Sequence, residues 1–200
     1  GDIRLRADAL YGLCAMNTDY PLKGGILLTQ GYWDEEEEDR QKQIIWPYRK
    51  ENTSGYTLGM DEKNEHLLGL SVDLQLTGKI NRGEKDPLKR NETGRWLAEN
   101  MWRYGFIYQP ENETCDGIHL RYVGRSHARM MHIMNMPLEE YLTFLQQQKT
   151  VTLMHGATMI ACVQCVTEDT EFVAVPQGMR REISRDNRGN IILCFTAEGM

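Results

Sequence analysis

Two imidazoles and two carboxylates in this chain are spaced as a catalytic metal centre would need them. His66 is followed seven residues later by Asp73 in Asn64-Glu65-His66-Leu67-Leu68-Gly69-Leu70-Ser71-Val72-Asp73, and His119 closes Asp116-Gly117-Ile118-His119. A neutral imidazole offers a ring nitrogen to zinc and a carboxylate offers an oxygen, so His66, Asp73 and His119 form a three-ligand set. The fourth position stays open for water, which is the mark of a catalytic rather than a structural zinc site. Water on zinc can reach a pKa of about 7 and so supply hydroxide at neutral pH. Asp116, three residues before His119, is then the candidate general base, a carboxylate that could take the proton of that water and pass it to a leaving group. Such help is typically worth roughly 10²- to 10⁴-fold. His127, His132 and His155 stand singly and are given no metal role.

The elements that must present these groups can be read from periodicity. Leu68, Leu70, Val72, Leu74 and Leu76 alternate with Gly69, Ser71, Asp73 and Gln75, which predicts a strand with Asp73 on its polar face and His66 in the loop just before it. Residues 51–64 are polar and rich in Gly, Ser, Thr and Asn, as a loop leading into that segment would be. Pro87 to Tyr104 reads as a helix stopped by Gly105, Phe106-Ile107-Tyr108 as a strand, and Gly117 to Val123 as the strand carrying His119. Earlier, Asp8 to Asn17 reads as a helix and Ile26 to Thr29 as a buried strand. The acidic run within Asp34 to Lys42 fits a solvated helix rather than a calcium site, since four consecutive helical side chains point in four directions. Helices over Ser126 to Asn135 and Leu138 to Gln148 follow, with Met130, Met131, Met134 and Met136 as gap-filling core residues. From Thr150 the pattern turns to short strands at 151–153, 159–166, 171–175 and 191–196, with a hairpin turn at 186–190.

The ordered set resembles the zinc D-alanyl-D-alanine carboxypeptidases of the VanY type. Their first motif reads S-x-H-x-x-G-x-A-x-D and their second E-x-x-H, or D-x-x-H in related cell-wall endopeptidases. Gly94-Arg95-Trp96-Leu97-Ala98-Glu99-Asn100, Tyr104-Gly105-Phe106, His119-Leu120-Arg121-Tyr122-Val123-Gly124, His127-Ala128 and Leu138-Glu139-Glu140-Tyr141-Leu142 extend the likeness from about Arg4 to about Gln148. It implies an α+β fold of the DD-peptidase/hedgehog-like kind, a mainly antiparallel sheet flanked by helices. A zinc peptidase domain would occupy residues 1–149, and 150–200 would be a small all-β extension outside the likeness.

The same resemblance implies substrate contacts at Asn64, Tyr32, Trp33 and Ser71. Asn64 stands at the motif's Ser, which helps to bind the substrate's terminal carboxylate. Gln30-Gly31-Tyr32-Trp33-Asp34 stands where the family has S-G-Y-R-S, so Trp33 replaces an arginine that would clamp substrate. Asp116-Gly117-Ile118-His119 replaces E-P-W-H, and Leu67 replaces a common polar residue. The implied activity is removal of a terminal D-amino acid from peptidoglycan stem peptides, outside the cell membrane in the bacterial envelope. The rival reading is a zinc-bearing protein that binds wall peptides without cleaving them.

Composition agrees with a globular chain and excludes several classes. Two hundred residues with 40% hydrophobic content can bury a core, and a net charge of −6 offers no basic stripe for nucleic-acid phosphates. The apolar runs are too short to span a bilayer. The chain begins Gly1-Asp2-Ile3 without Met, so a missing leader carries no information about export. Five cysteines, Cys14, Cys115, Cys162, Cys165 and Cys194, make no dense disulfide framework. Cys162-Val163-Gln164-Cys165 has metal or redox spacing, yet in a strand positions three apart face opposite sides, which favours small buried core residues.

Overall fold

The computed structural model describes residues 3–21, 24–34, 36, 40, 65–110, 117–186 and 188–197. The chain divides into two compact units, Gly1–Arg125 and Ser126–Met200. Among the described residues each holds one four-stranded antiparallel sheet, an α+β arrangement of the expected class.

In the first unit α1 (Ala7–Asp19) precedes β1 (Ile26–Gln30), β2 (Ser71–Leu76), α2 (Glu92–Asn100), β3 (Phe106–Tyr108) and β4 (Ile118–Tyr122). The sheet order is β1-β2-β4-β3. Val72 lies opposite Leu120 and Leu74 opposite Ile118. With Leu13, Met16, Leu97, Tyr104 and Phe106, these residues form the core on one face of the sheet. Burying such side chains contributes about 1.5–3 kcal/mol each.

Two predicted elements differ in extent. The strand begins at Ser71 rather than Leu68, because residues 65–69 form a turn and leave Leu68 half exposed. The predicted helix over 87–104 is broken into a short 3₁₀ turn at Pro87–Lys89, α2, and a second 3₁₀ turn at Met101–Tyr104. Asn91 separates the first two pieces: its side chain accepts from the Gly94 amide at 2.9 Å and restarts the helix as an N-cap. Gly105, at φ +89°, ends the last piece.

The second unit contains α3 (Arg125–Met134, starting at the boundary), α4 (Leu138–Gln148), β5 (Thr150–His155), β6 (Thr158–Val166), β7 (Arg180–Arg185) and β8 (Ile191–Thr196), with sheet order β5-β6-β8-β7. α4 packs on β5 and β6 and buries Tyr141, Leu142 and Leu145. The sequence boundary at 149/150 therefore falls inside this unit, between a helix and the sheet that covers it. Residues 171–175 are not a strand, a correction to the sequence reading: Phe172 is 88% exposed and only the Ala174 carbonyl is engaged, accepting from Gln164 at 2.6 Å. The fourth strand is Arg180-Arg181-Glu182-Ile183-Ser184-Arg185, exposed along its whole length. An edge strand with both faces wet carries no hydrophobic alternation to be recognised.

Cys162, Cys165 and Cys194 are buried and free, with Cys162 in a small core beside Leu193 and Phe195. Within the predicted helix over 34–42, Glu36 and Arg40 are helical and pair at 3.2 Å. The rest of that acidic run, the loop at 51–64 and Cys115 lie outside the described residues, apart from Asp34.

Candidate metal centre

Strand register places half of the site. Asp73 on β2 lies directly opposite His119 on β4, and Ser71 lies opposite Arg121. Side chains two apart on a strand share a face, so all four project from the side of the sheet away from Val72, Leu74, Ile118 and Leu120. His119 Nδ1 donates to Asp73 Oδ1 at 2.7 Å. All four are largely buried, with Ser71 at 0% and Arg121 the most accessible.

The turn at residues 65–69 places the other half. Leu68 N donates to Glu65 O at 3.2 Å and Gly69 N to His66 O at 3.0 Å, which curls the chain over the polar face. Gly69 sits at φ +65° with the Arg6 amide only 3.0 Å from where a Cβ would stand. Only glycine adopts that backbone without strain. His66 is fixed from three sides: its Nδ1 donates to Gly31 O at 2.6 Å, its carbonyl accepts from Trp33 N at 3.2 Å, and the Trp33 ring stacks on the imidazole at 4.3 Å with planes 9° apart. Its Nε2 thereby faces Asp73 Oδ1, 3.5 Å away.

Glu65 is the part of the site that the sequence reading missed. Its carboxylate accepts from the Ser71 hydroxyl at 2.9 Å, from His119 Nε2 at 3.2 Å and from the Arg121 guanidinium. The Gln109 amide, oriented with its nitrogen inward, adds a bond of 2.8 Å. Burial alone would push the Glu65 carboxyl up; the His119 hydrogen bond and the Arg121 charge outweigh it and hold the group below its ordinary value. Asp73 is likewise opposed by burial, but hydrogen bonds from His119 and His66 bring it down to about 2. His119, which burial would push down, is raised to about 9 by its bonds to Asp73 and Glu65. Without an ion, these groups stabilise positive charge between them.

A metal fits this donor set. One ligand atom from each of His66, Asp73 and His119 lies within 4.8 Å of the others, and all three residues are buried. Each imidazole has its outer N–H held by an acceptor, Gly31 O for His66 and Glu65 for His119, which leaves the inner nitrogen for a cation. Among the remaining sequence candidates, Ser71 is brought to the site but spends its hydroxyl on Glu65. Trp33 is 5% exposed and lies against His66, whereas Tyr32 is 38% exposed with the Arg4 guanidinium 5.2 Å over its ring. Asp116 and Asn64 lie outside the described residues. Two sequence signals could have revealed the missed groups: Glu65 adjoins His66 in the same turn, and Arg121 is two residues from His119 on one strand face.

No protein-family model matches the chain. A D-alanyl-D-alanine carboxypeptidase of Enterococcus faecium is 33% identical over 183 residues, which is 86% of this chain and 55% of that relative. The chain thus spans about half the length of that protein. Among solved structures, the vancomycin-resistance D,D-dipeptidase VanXYg, in complex with a D-Ala-D-Ala phosphinate analog, superposes with a TM-score of 0.71 at 21% identity, covering 98% of this chain and 82% of that one. VanYB in complex with D-alanine-D-alanine superposes with a TM-score of 0.50 at 25% identity, over 70% of this chain and 83% of that one. In sequence along most of its length, and in its α+β fold, the chain is similar to the VanY-type D-alanyl-D-alanine peptidases.

Proposed function

We propose that this protein is a zinc-dependent D,D-carboxypeptidase that removes a terminal D-amino acid from peptidoglycan stem peptides. The observation that carries the reading is the buried convergence of His66, Asp73 and His119 with both imidazoles anchored through their outer nitrogens. The relatives' substrate supports the choice of bond: VanYB holds D-alanine-D-alanine, and VanXYg a D-Ala-D-Ala phosphinate analog. His66, Asp73 and His119 would hold the ion. Bound there, zinc supplies Lewis acidity, polarising a scissile carbonyl and making water acidic enough to ionise near neutral pH.

The chain's own groups supply the rest. Asp116 takes the proton of the attacking water and returns it to the leaving D-amino acid's nitrogen, so that acid and base work are done by one carboxylate. Asn64 donates its amide to the peptide's terminal carboxylate. Of the other residues the resemblance suggests, Tyr32 is accessible enough to meet substrate, whereas Trp33 backs the His66 ring and Ser71 is committed to Glu65. Action on stem peptides would place the protein at the bacterial cell envelope or outside the cell. Among the described residues no helix is long and apolar enough to cross a membrane.

The test is to incubate the zinc-loaded protein with a panel of muropeptides and weigh the products. Release of D-alanine from a pentapeptide ending in D-alanyl-D-alanine is expected. A second reading, a zinc-bearing protein that binds wall peptides without cleaving them, is favoured by Trp33, which offers no positive charge to the transition state. Peptide binding without any fragment released would establish it.

A further inference from the structure

The structure assigns Glu65 as a positioning residue that sets which nitrogen of His119 faces the metal, in an Arg121–Glu65–His119 relay outside the ligand set. This rests on the zinc reading above, and it concerns residues to which that reading gives no role.

A carboxylate in a largely buried place is costly unless it is paired. Glu65 has four donors: the Ser71 hydroxyl, the Gln109 amide, the Arg121 guanidinium and His119 Nε2. Three of them tie the carboxylate down and one hands its position on. Arg121 and Ser71 come from facing strands, opposite one another in the β2/β4 register, and Gln109 follows β3. Glu65 is therefore held by three segments of one sheet while it is itself carried on the turn that bears His66. The imidazole of His119 can bind a cation through either nitrogen. With Nε2–H bonded to Glu65, only Nδ1 is left for the cation, and Nδ1 is the nitrogen 2.7 Å from Asp73 Oδ1. Arg121 matters in turn because it offsets the second negative charge: the cluster carries Asp73 and Glu65, and without the guanidinium both carboxylates would draw the ion.

The experiment has two arms, both on the whole 200-residue chain. In the first, zinc affinity is measured by chelator competition for wild type, Glu65→Gln, Glu65→Asp and the double variant Glu65→Gln/Arg121→Gln, with the melting temperature of each metal-free protein recorded. Removal of a group bonded to a ligating imidazole typically costs 10- to 100-fold in metal affinity. That loss is expected in Glu65→Gln and in the double variant, where no buried charge is left unpaired, with part of it recovered in Glu65→Asp. Affinity within threefold of wild type, or a loss explained by unfolding alone, overturns the assignment of Glu65 and leaves the zinc reading standing. No zinc binding by wild type overturns both.

In the second arm, ¹⁵N chemical shifts of the His119 ring are read in the zinc-loaded wild type, which needs no variant to fold. Zinc on Nδ1 with a proton on Nε2 is expected. Zinc on Nε2 would overturn the relay.

Discussion

Trp33 shows how one side chain can change meaning between sequence and structure. By position it replaces an arginine and so reads as a lost clamp for substrate; in the fold its ring is buried and stacked on His66. An aromatic face there fixes the plane of the imidazole and keeps water from it. Trp33→Ala should cost about 3–5 kcal/mol, as large-to-small changes at buried aromatics do, and should also weaken zinc binding; a thermal melt and a chelator titration check both. Trp33→Arg buries a cation next to the ligand set and is expected to weaken zinc binding rather than restore a clamp. Asp116 poses a different question at the same scale. Asp116→Asn should keep zinc and fold while lowering hydrolysis of the pentapeptide by at least about 100-fold, measured by D-alanine release. Full activity would remove Asp116 from the mechanism.

The turn at residues 65–69 is the element on which the site depends, since it aims both Glu65 and His66. Gly69→Ala would place a Cβ on a left-handed backbone, at a cost of roughly 1–2 kcal/mol, beside the Arg6 amide. Its expected signature is a fall in melting temperature together with weaker zinc binding, read in the same two assays. In the second unit α3 and α4 meet through His127 and Tyr141, whose Nδ1 and hydroxyl lie 2.9 Å apart. Burial lowers the His127 imidazole from 6.5 to about 4, so it is neutral in the fold, and stability is lost as pH falls from about 6.5 to about 4 because the unfolded chain takes up the proton first. His119 has the opposite sign in the metal-free protein: raised to about 9, its contribution is complete below about 6.5 and does not mask the trend. Denaturant titrations of metal-free wild type and His127→Phe between pH 7 and 4.5 should show the acid slope in the first and a flatter one in the second.

At the scale of the molecule, the described part of the site belongs wholly to the first unit, while α3 and α4 belong with the second sheet. A chain ending at residue 149 would keep α4 and lose the strands that bury Tyr141, Leu142 and Leu145. We expect residues 1–125 to fold and bind zinc alone, and residues 1–149 to fold no better and to aggregate through that uncovered helix face. Light scattering and a zinc titration on the two fragments decide this. A well-behaved 1–149 chain with a structured α4 would show that the helix finds its support in the first unit.

His66, Asp73 and His119 were legible from residue type and spacing, because metal ligation tolerates few chemistries, and the central strands were legible because their apolar faces repeat every second residue. β7 was not, since an exposed edge strand has no apolar face to betray it. The Ser71–Arg121 and Asp73–His119 pairs could not be read from the chain, as register is set between strands 46 or more residues apart. Nor could the closing of the 65–69 turn onto that face, which makes Glu65 a partner of His119 and Trp33 a wall for His66. The sequence by itself determined which groups could hold the ion; the tertiary structure alone decided which nitrogen each imidazole presents, because that depends on acceptors brought in from other segments.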